Sequence, residues 1–280
     1  MTAAFFLLLR EGLEAALIVG IICAYVVKLD RRDVLRGVWL GVAAALVLSI
    51  GVGIIVALTV GRLPIMVQEA LEGVAAIIAV AVLTWMLFWM RRQGRAMKGE
   101  LEAGVDTALA TGSLAALAGL AFVAVARESL ETVLFLFALG AQTQDLIIST
   151  LIGAALGLAA AVAIGYGIFA LGIRVDLRRF FTITGVVLIF VSAGLVAFAI
   201  HAFGEAGIIV NQGVVWDLSG VLPTNSPLGS VLAGLFGYRA APTSFEVLGY
   251  FGYLIPVLIL FVWGGKRPAV AKPGPAGAGA

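Results

Sequence analysis

The chain has 280 residues, of which 62% are hydrophobic and 12% charged, with a mean hydropathy of +1.13. That composition excludes a soluble domain and describes an integral membrane protein. A formal net charge of +2 gives no electrostatic basis for a nucleic-acid partner, and the single cysteine, Cys23, excludes an internal disulfide and any multi-cysteine metal or iron–sulfur site.

Apolar runs long enough to span a hydrocarbon core of about 30 Å at about 1.5 Å per residue fall at 3–27, 35–58, 69–90, 113–139, 146–171, 181–203 and 246–264. The first is not a cleaved signal peptide, since it lacks a basic leading segment and carries charges within its apolar part. Basic residues gather after span one (Lys28, Arg31, Arg32, Arg36) and after span three (Arg91, Arg92, Arg95, Lys98). They recur before span six (Arg174, Arg178, Arg179) and after span seven (Lys266, Arg267, Lys272). The alternate connections hold only Arg62 and Arg239. By the positive-inside rule the N-terminus lies outside and the C-terminus is cytoplasmic.

The expected fold is therefore an all-α integral membrane protein with seven transmembrane helices, forming a single transmembrane domain over 1–267. Repeat one covers about 3–90 and repeat two about 113–203, followed by an outer loop at 204–245 and span seven at 246–264. The outer loop, rich in Pro and Gly, reads as ordered or partly re-entrant, and residues 268–280 as a disordered cytoplasmic tail. Small-residue spacing such as Gly153-Ala154-Ala155-Leu156-Gly157 implies close helix packing. Trp85, Trp89, Trp216, Trp263, Tyr238, Tyr250 and Tyr253 read as interfacial anchors, and the basic clusters as contacts to anionic lipid.

Within span one stands Arg10-Glu11-Gly12-Leu13-Glu14, and within span four Arg127-Glu128-Ser129-Leu130-Glu131. On a helix the two glutamates of each copy share a face, and the arginine reaches the second glutamate four residues on. Spans one and four run in opposite directions, so the copies are antiparallel. Counting residues puts both roughly 10–18 Å below the outer surface. This is the pattern of a 3+3 inverted repeat with a site at its interface and one extra helix.

Charges inside a membrane are costly and usually serve a pathway. Four carboxylates against two guanidiniums allow three readings: neutral packing, a proton relay, or a site for a hard cation with oxygen ligands. Glu69 and Glu72 at the start of span three form a further acidic pair, fitting either an entry site or a helix N-terminus. His201 and Glu205, four apart at the outer end of span six, are weaker candidates for cation contact. H-E-x-x-H, Walker and nucleophile-elbow motifs are absent, so no enzyme activity is expected.

The paired R-E-x-x-E motifs resemble the signature of the high-affinity iron permease family, from span one through span seven. That family includes the bacterial Efe-system permease and the fungal permease that works with a multicopper oxidase. The resemblance implies iron import across the cytoplasmic (inner) membrane. Glu11, Glu14, Glu128 and Glu131 would handle the metal, with Arg10 and Arg127 as motif partners and Glu69 and Glu72 as the family's further acidic pair. Ser129 replaces a frequent glycine. No permanent cofactor is implied; iron, Fe3+ or Fe2+, is the transported substrate. An iron-delivery, oxidase or peroxidase protein would be a separate periplasmic or extracellular chain. The alternatives are a proton-coupled transporter of another cation or small solute, and an accessory subunit without transport of its own.

Overall fold

The computed structural model describes residues 1–93, 96–110, 113–142, 147–172, 176–210, 213–224 and 226–263. Arg95, Arg174, Lys266, Arg267, Lys272 and the tail 268–280 lie outside them. The described chain is helical, with no strand beyond an isolated bridge between Val214 and Thr243. The helices in order are α1 (Thr2–Lys28), α2 (Leu35–Val60), α3 (Ile65–Gln93), α4 (Ala96–Ala110), α5 (Leu114–Gln142), α6 (Ile147–Ala170), α7 (Leu177–Glu205), α8 (Pro227–Phe236) and α9 (Ser244–Trp263).

Helices α2, α3, α6, α7 and α9 are long and apolar enough to cross a membrane. With 27 and 29 residues, α1 and α5 match them in length, and differ by the three charges of each R-E-x-x-E motif. The outward faces are aliphatic: Val47, Ile50, Ile54, Ile55 and Leu58 on α2 are all exposed. In water such a surface would drive aggregation; against lipid tails it costs nothing.

Packing depends on small residues. The buried positions of α2 are Gly37, Val38, Gly41, Ala45 and Ser49, a stripe at helical spacing. A Cβ at Gly41 would collide with the backbone carbonyl of Ala118 on α5, and one at Gly37 would come within 2.9 Å of Leu114 O. On α6, Gly153, Gly157, Ala161 and Gly165 form a second stripe against α1. Cβ atoms at Gly153 and Gly157 would strike the carbonyls of Met1 and Phe5, and one at Gly165 would come within 2.9 Å of Ala16 Cβ. The close packing expected of Gly153 and Gly157 is thus found, and it has a partner interface elsewhere. The pairs α1 with α6 and α2 with α5 are the two most extensive in the molecule, followed by α3 with α7.

The central core lies where α1, α3, α5 and α7 meet, around Leu7, Ala79, Leu83, Phe135, Leu188, Leu195 and Phe198. At 29 residues, α3 and α7 are each about 43 Å long, well beyond the hydrocarbon thickness. They can be accommodated only by tilting or projecting.

Two helices lie outside the seven predicted runs. Helix α4 occupies the connection after α3, lays Leu101, Val105, Ala108 and Leu109 against α1 and α5, and is tied by Tyr25, whose hydroxyl donates to Asp106 Oδ1 at 2.9 Å. Helix α8 lies in the connection between α7 and α9. It starts with Ser226, whose Oγ accepts from Gly229 N at 3.0 Å, has proline at its first position, and ends at Gly237 in the left-handed region (φ 64°). Gly237 lies directly on Gly194 of α7, eleven residues below the end of that helix, or about 16 Å along it. The described part of segment 204–245 is therefore packed between helices, held also by Tyr238 Oη donating to Leu222 O at 2.9 Å.

Candidate metal site between α1 and α5

In α1 the apolar periodicity places Arg10, Glu11 and Glu14 toward the protein interior, and all three are buried, Arg10 to 1% exposure. The α5 copy reaches the same level from the opposite direction. Carboxylate oxygens of Glu11, Glu128 and Glu131 lie within 4.8 Å of one another. Among the described residues these form the group of acidic, His or Cys side chains able to hold an ion.

Four oxygens of this cluster are buried without a hydrogen-bond partner: both of Glu11, Oε2 of Glu128 and Oε2 of Glu131. A buried acceptor without a partner costs about 1–3 kcal/mol, and more if charged. Three carboxylates facing one another repel as well as being desolvated. Both penalties vanish when a cation enters, and an all-oxygen donor set suits a hard or borderline metal ion.

The arginines complete the electrostatics unequally. Arg10 Nε lies 3.0 Å from Glu14 Oε1, at ion-pair distance but without hydrogen-bond alignment, and its Nη2 donates to Met90 Sδ at 3.0 Å. Arg127 Nε donates to Glu131 Oε1 at 3.1 Å, but the side chain is 41% exposed and lies over the rings of Trp85 and Trp89, at 5.5 and 5.2 Å. Of the four glutamates singled out in the motifs, the cluster takes Glu11, Glu128 and Glu131, while Glu14 lies at ion-pair distance from Arg10, its Oε1 likewise buried without a hydrogen-bond partner.

The other candidates, Glu69, Glu72, His201 and Glu205, are not part of this cluster. Glu72 is buried and accepts from Gln68 Nε2 at 2.9 Å; Glu69 beside it is half-buried in the same turns of α3. His201 does not join Glu205, which is exposed. Its Nδ1 lies 3.1 Å from Glu246 Oε1 on α9, and Arg239 Nε lies 3.3 Å from the other oxygen of Glu246.

The profile of the iron permease FTR1 family matches residues 1–265. The chain belongs to that family. It is 46% identical over 264 residues to a protein named ferrous iron permease EfeU from Yersinia pestis, with 93% of each chain covered. It is also 46% identical over 275 residues to the protein of that name from Escherichia coli O6:H1 strain CFT073, covering 97% of this chain and 99% of the other. The Shigella sonnei relative is 45% identical over the same length. No solved structure matches. The relatives are named as permeases rather than enzymes.

Within this iron permease, the residues that sequence reasoning passed over are partners across long separations. Glu246 ties Arg239 of the α8–α9 connection to His201 of α7, and its signal is the local T-x-x-E start of α9, where Thr243 Oγ1 accepts from Glu246 N at 3.4 Å. Trp85 and Trp89, expected as interfacial anchors, carry Arg127 on their faces. A cavity of about 250 Å³ between α7, α8 and α9 is lined by Trp216, Phe236, Tyr238 and Tyr250, with Arg239 and Glu246 at its polar edge. Its lining is aromatic and shares no residue with the carboxylate cluster.

Proposed function

We propose that this protein imports ferrous iron across the cytoplasmic membrane through the Glu11–Glu128–Glu131 cluster. The observation that carries the reading is the convergence of three carboxylates from two helices, Glu11 and Glu128 buried and Glu131 half-buried, each with at least one buried oxygen that has no hydrogen-bond partner. With Arg127 paired to Glu131, an ionised cluster holds three negative charges and one positive, a net of −2. A divalent ion balances that sum, and a trivalent ion leaves an excess that is costly in a low-dielectric interior. The name of the relatives, ferrous iron permease, agrees with this choice.

In this reading the chain crosses the membrane seven times as a 3+3 inverted repeat plus α9, with the N-terminus outside. Helix α1 corresponds to α5, α2 to α6 and α3 to α7. The correspondence is supported by packing: exchanging the repeats turns the α1–α6 interface into α5–α2, and these are the two most extensive pairs, each closed by glycine on backbone carbonyl. Glu69 and Glu72 collect the ion at the outer end of α3. Arg10 and Arg127 keep the glutamates oriented and reduce their repulsion. A separate extracytoplasmic protein delivers the iron, and the aliphatic flanks and basic connections face lipid.

The test is radiolabelled iron uptake in cells lacking other iron importers. Glu11→Ala and Glu128→Ala are each expected to lower uptake at least tenfold while the protein remains inserted at normal abundance. Wild-type uptake by both variants, or wild-type transport of Mn²⁺ or Zn²⁺ in preference to iron, contradicts the proposal.

A further inference from the structure

The two motifs are the same sequence device in two different conditions. In the α1 copy the ion pair Arg10–Glu14 is sealed, at 1% and 5% exposure, and Glu14, whose Oε1 is buried without a hydrogen-bond partner, is not among the three carboxylates whose oxygens converge within 4.8 Å. In the α5 copy the equivalent pair Arg127–Glu131 spans the same distance but is open, at 41% and 15% exposure, and Glu131 belongs to the cluster. The cluster therefore draws one ligand from the first repeat and two from the second.

The packing suggests which bodies move. Glycine contacts lock α1 to α6, through Gly12, Gly157 and Gly165, and α2 to α5, through Gly37 and Gly41. Close backbone contact of this kind leaves little freedom within a pair, because packed interfaces shift between discrete arrangements rather than deforming continuously. The carboxylate cluster lies at the junction between the two pairs, where α1 meets α5. In a transporter built from inverted repeats, the state open to the opposite side is reached when each repeat takes up the arrangement of the other. Applied here, the exchange converts Glu11, Glu128 and Glu131 into Glu128, Glu11 and Glu14.

Resting on the inverted-repeat iron permease reading above, we infer that the third ligand position is handed over during transport: Glu131 holds the ion with Glu11 and Glu128 in the state seen here, and Glu14 replaces Glu131 in the opposite-facing state. Glu11 and Glu128 are common to both states. Arg127 and Arg10 alternate as the open and the sealed counter-charge, so the site keeps a net charge of −2 throughout. The Trp85–Trp89 faces hold Arg127 while its glutamate is engaged, and Met90 Sδ holds Arg10 while its glutamate is withheld.

The handover separates binding from turnover. Purified protein is titrated anaerobically with ferrous iron and ascorbate, and the same preparations are reconstituted into liposomes holding a trapped ferrous chelator. Glu131→Gln is expected to weaken binding at least tenfold. Glu14→Gln is expected to bind within threefold of wild type but to lose at least tenfold in flux. Glu14→Asp, which keeps the charge, gives the same contrast in milder form and serves if the glutamine variant does not fold. Equal loss of binding in the Glu14 and Glu131 variants overturns the handover in favour of one static four-carboxylate site. Wild-type flux in the Glu14 variants overturns it too. Absence of iron binding or flux in the wild-type protein overturns the permease reading instead, and the handover with it.

Discussion

Glu11 is buried with neither carboxylate oxygen in a hydrogen bond, beside Glu128 and Glu131. A buried acidic group of this kind within a membrane helix calls for a partner, and a bound cation supplies one. The consequence is measurable in thermal unfolding. Glu11→Gln removes one negative charge from the cluster at nearly constant volume, so the iron-free protein is expected to melt at the wild-type temperature or a few degrees above it. The wild-type protein should gain about 2.7 kcal/mol at a ferrous iron concentration a hundredfold above its dissociation constant. The variant should lose that gain. A variant that melts well below wild type without iron, yet still responds to iron, contradicts the role given to Glu11. The candidate residues were legible in the sequence because charges inside apolar runs stand out. Their inequality was not: R-E-x-x-E reads alike in both copies, and only the surroundings distinguish sealed Arg10 from Arg127 lying over Trp85 and Trp89. Likewise His201 and Glu205 share a helix spacing, but the partner of His201 is Glu246, 45 residues away.

At the level of elements, the long helices fall where the apolar runs predicted them, since lipid requires continuous apolar helices of that length. Helix α4 escaped because its 15 residues carry charge and are too short to span. Its spacing of Leu101, Val105, Ala108 and Leu109 was nevertheless that of a helix with one apolar face. The glycine stripes were legible as close packing, but their pairing into two related interfaces needed the tertiary structure. That pairing predicts matched costs. Gly41→Leu on α2 and Gly153→Leu on α6 both force a side chain into a backbone carbonyl of the facing helix, at Ala118 and Met1. Overpacking of this kind costs about 1–3 kcal/mol. Each variant should lower the melting temperature and slow iron flux, whereas Gly99→Leu, at a position with open space around it, should do neither. A large loss in only one of the two would argue against equivalent interfaces.

For the whole molecule, the distribution of charge and the packing of helices converge on one arrangement. Basic residues lie in alternate connections, aliphatic side chains face outward, and the buried charges are concentrated where α1 crosses α5. One end of the bundle carries Glu69, Glu72 and the His201–Glu246–Arg239 group, and the carboxylate cluster lies between the two glycine-locked helix pairs. Such an assembly has the parts of a conduit with an entry and a central binding point. Everything in this arrangement turns on iron binding between Glu11, Glu128 and Glu131. The most direct measurement is an anomalous difference map at the iron absorption edge, from crystals of the purified protein grown anaerobically with ferrous iron. A peak is expected about 2.0–2.6 Å from oxygens of all three glutamates, as oxygen ligands approach hard cations. A peak confined to Glu69 and Glu72 or to His201, with none between α1 and α5, would contradict it.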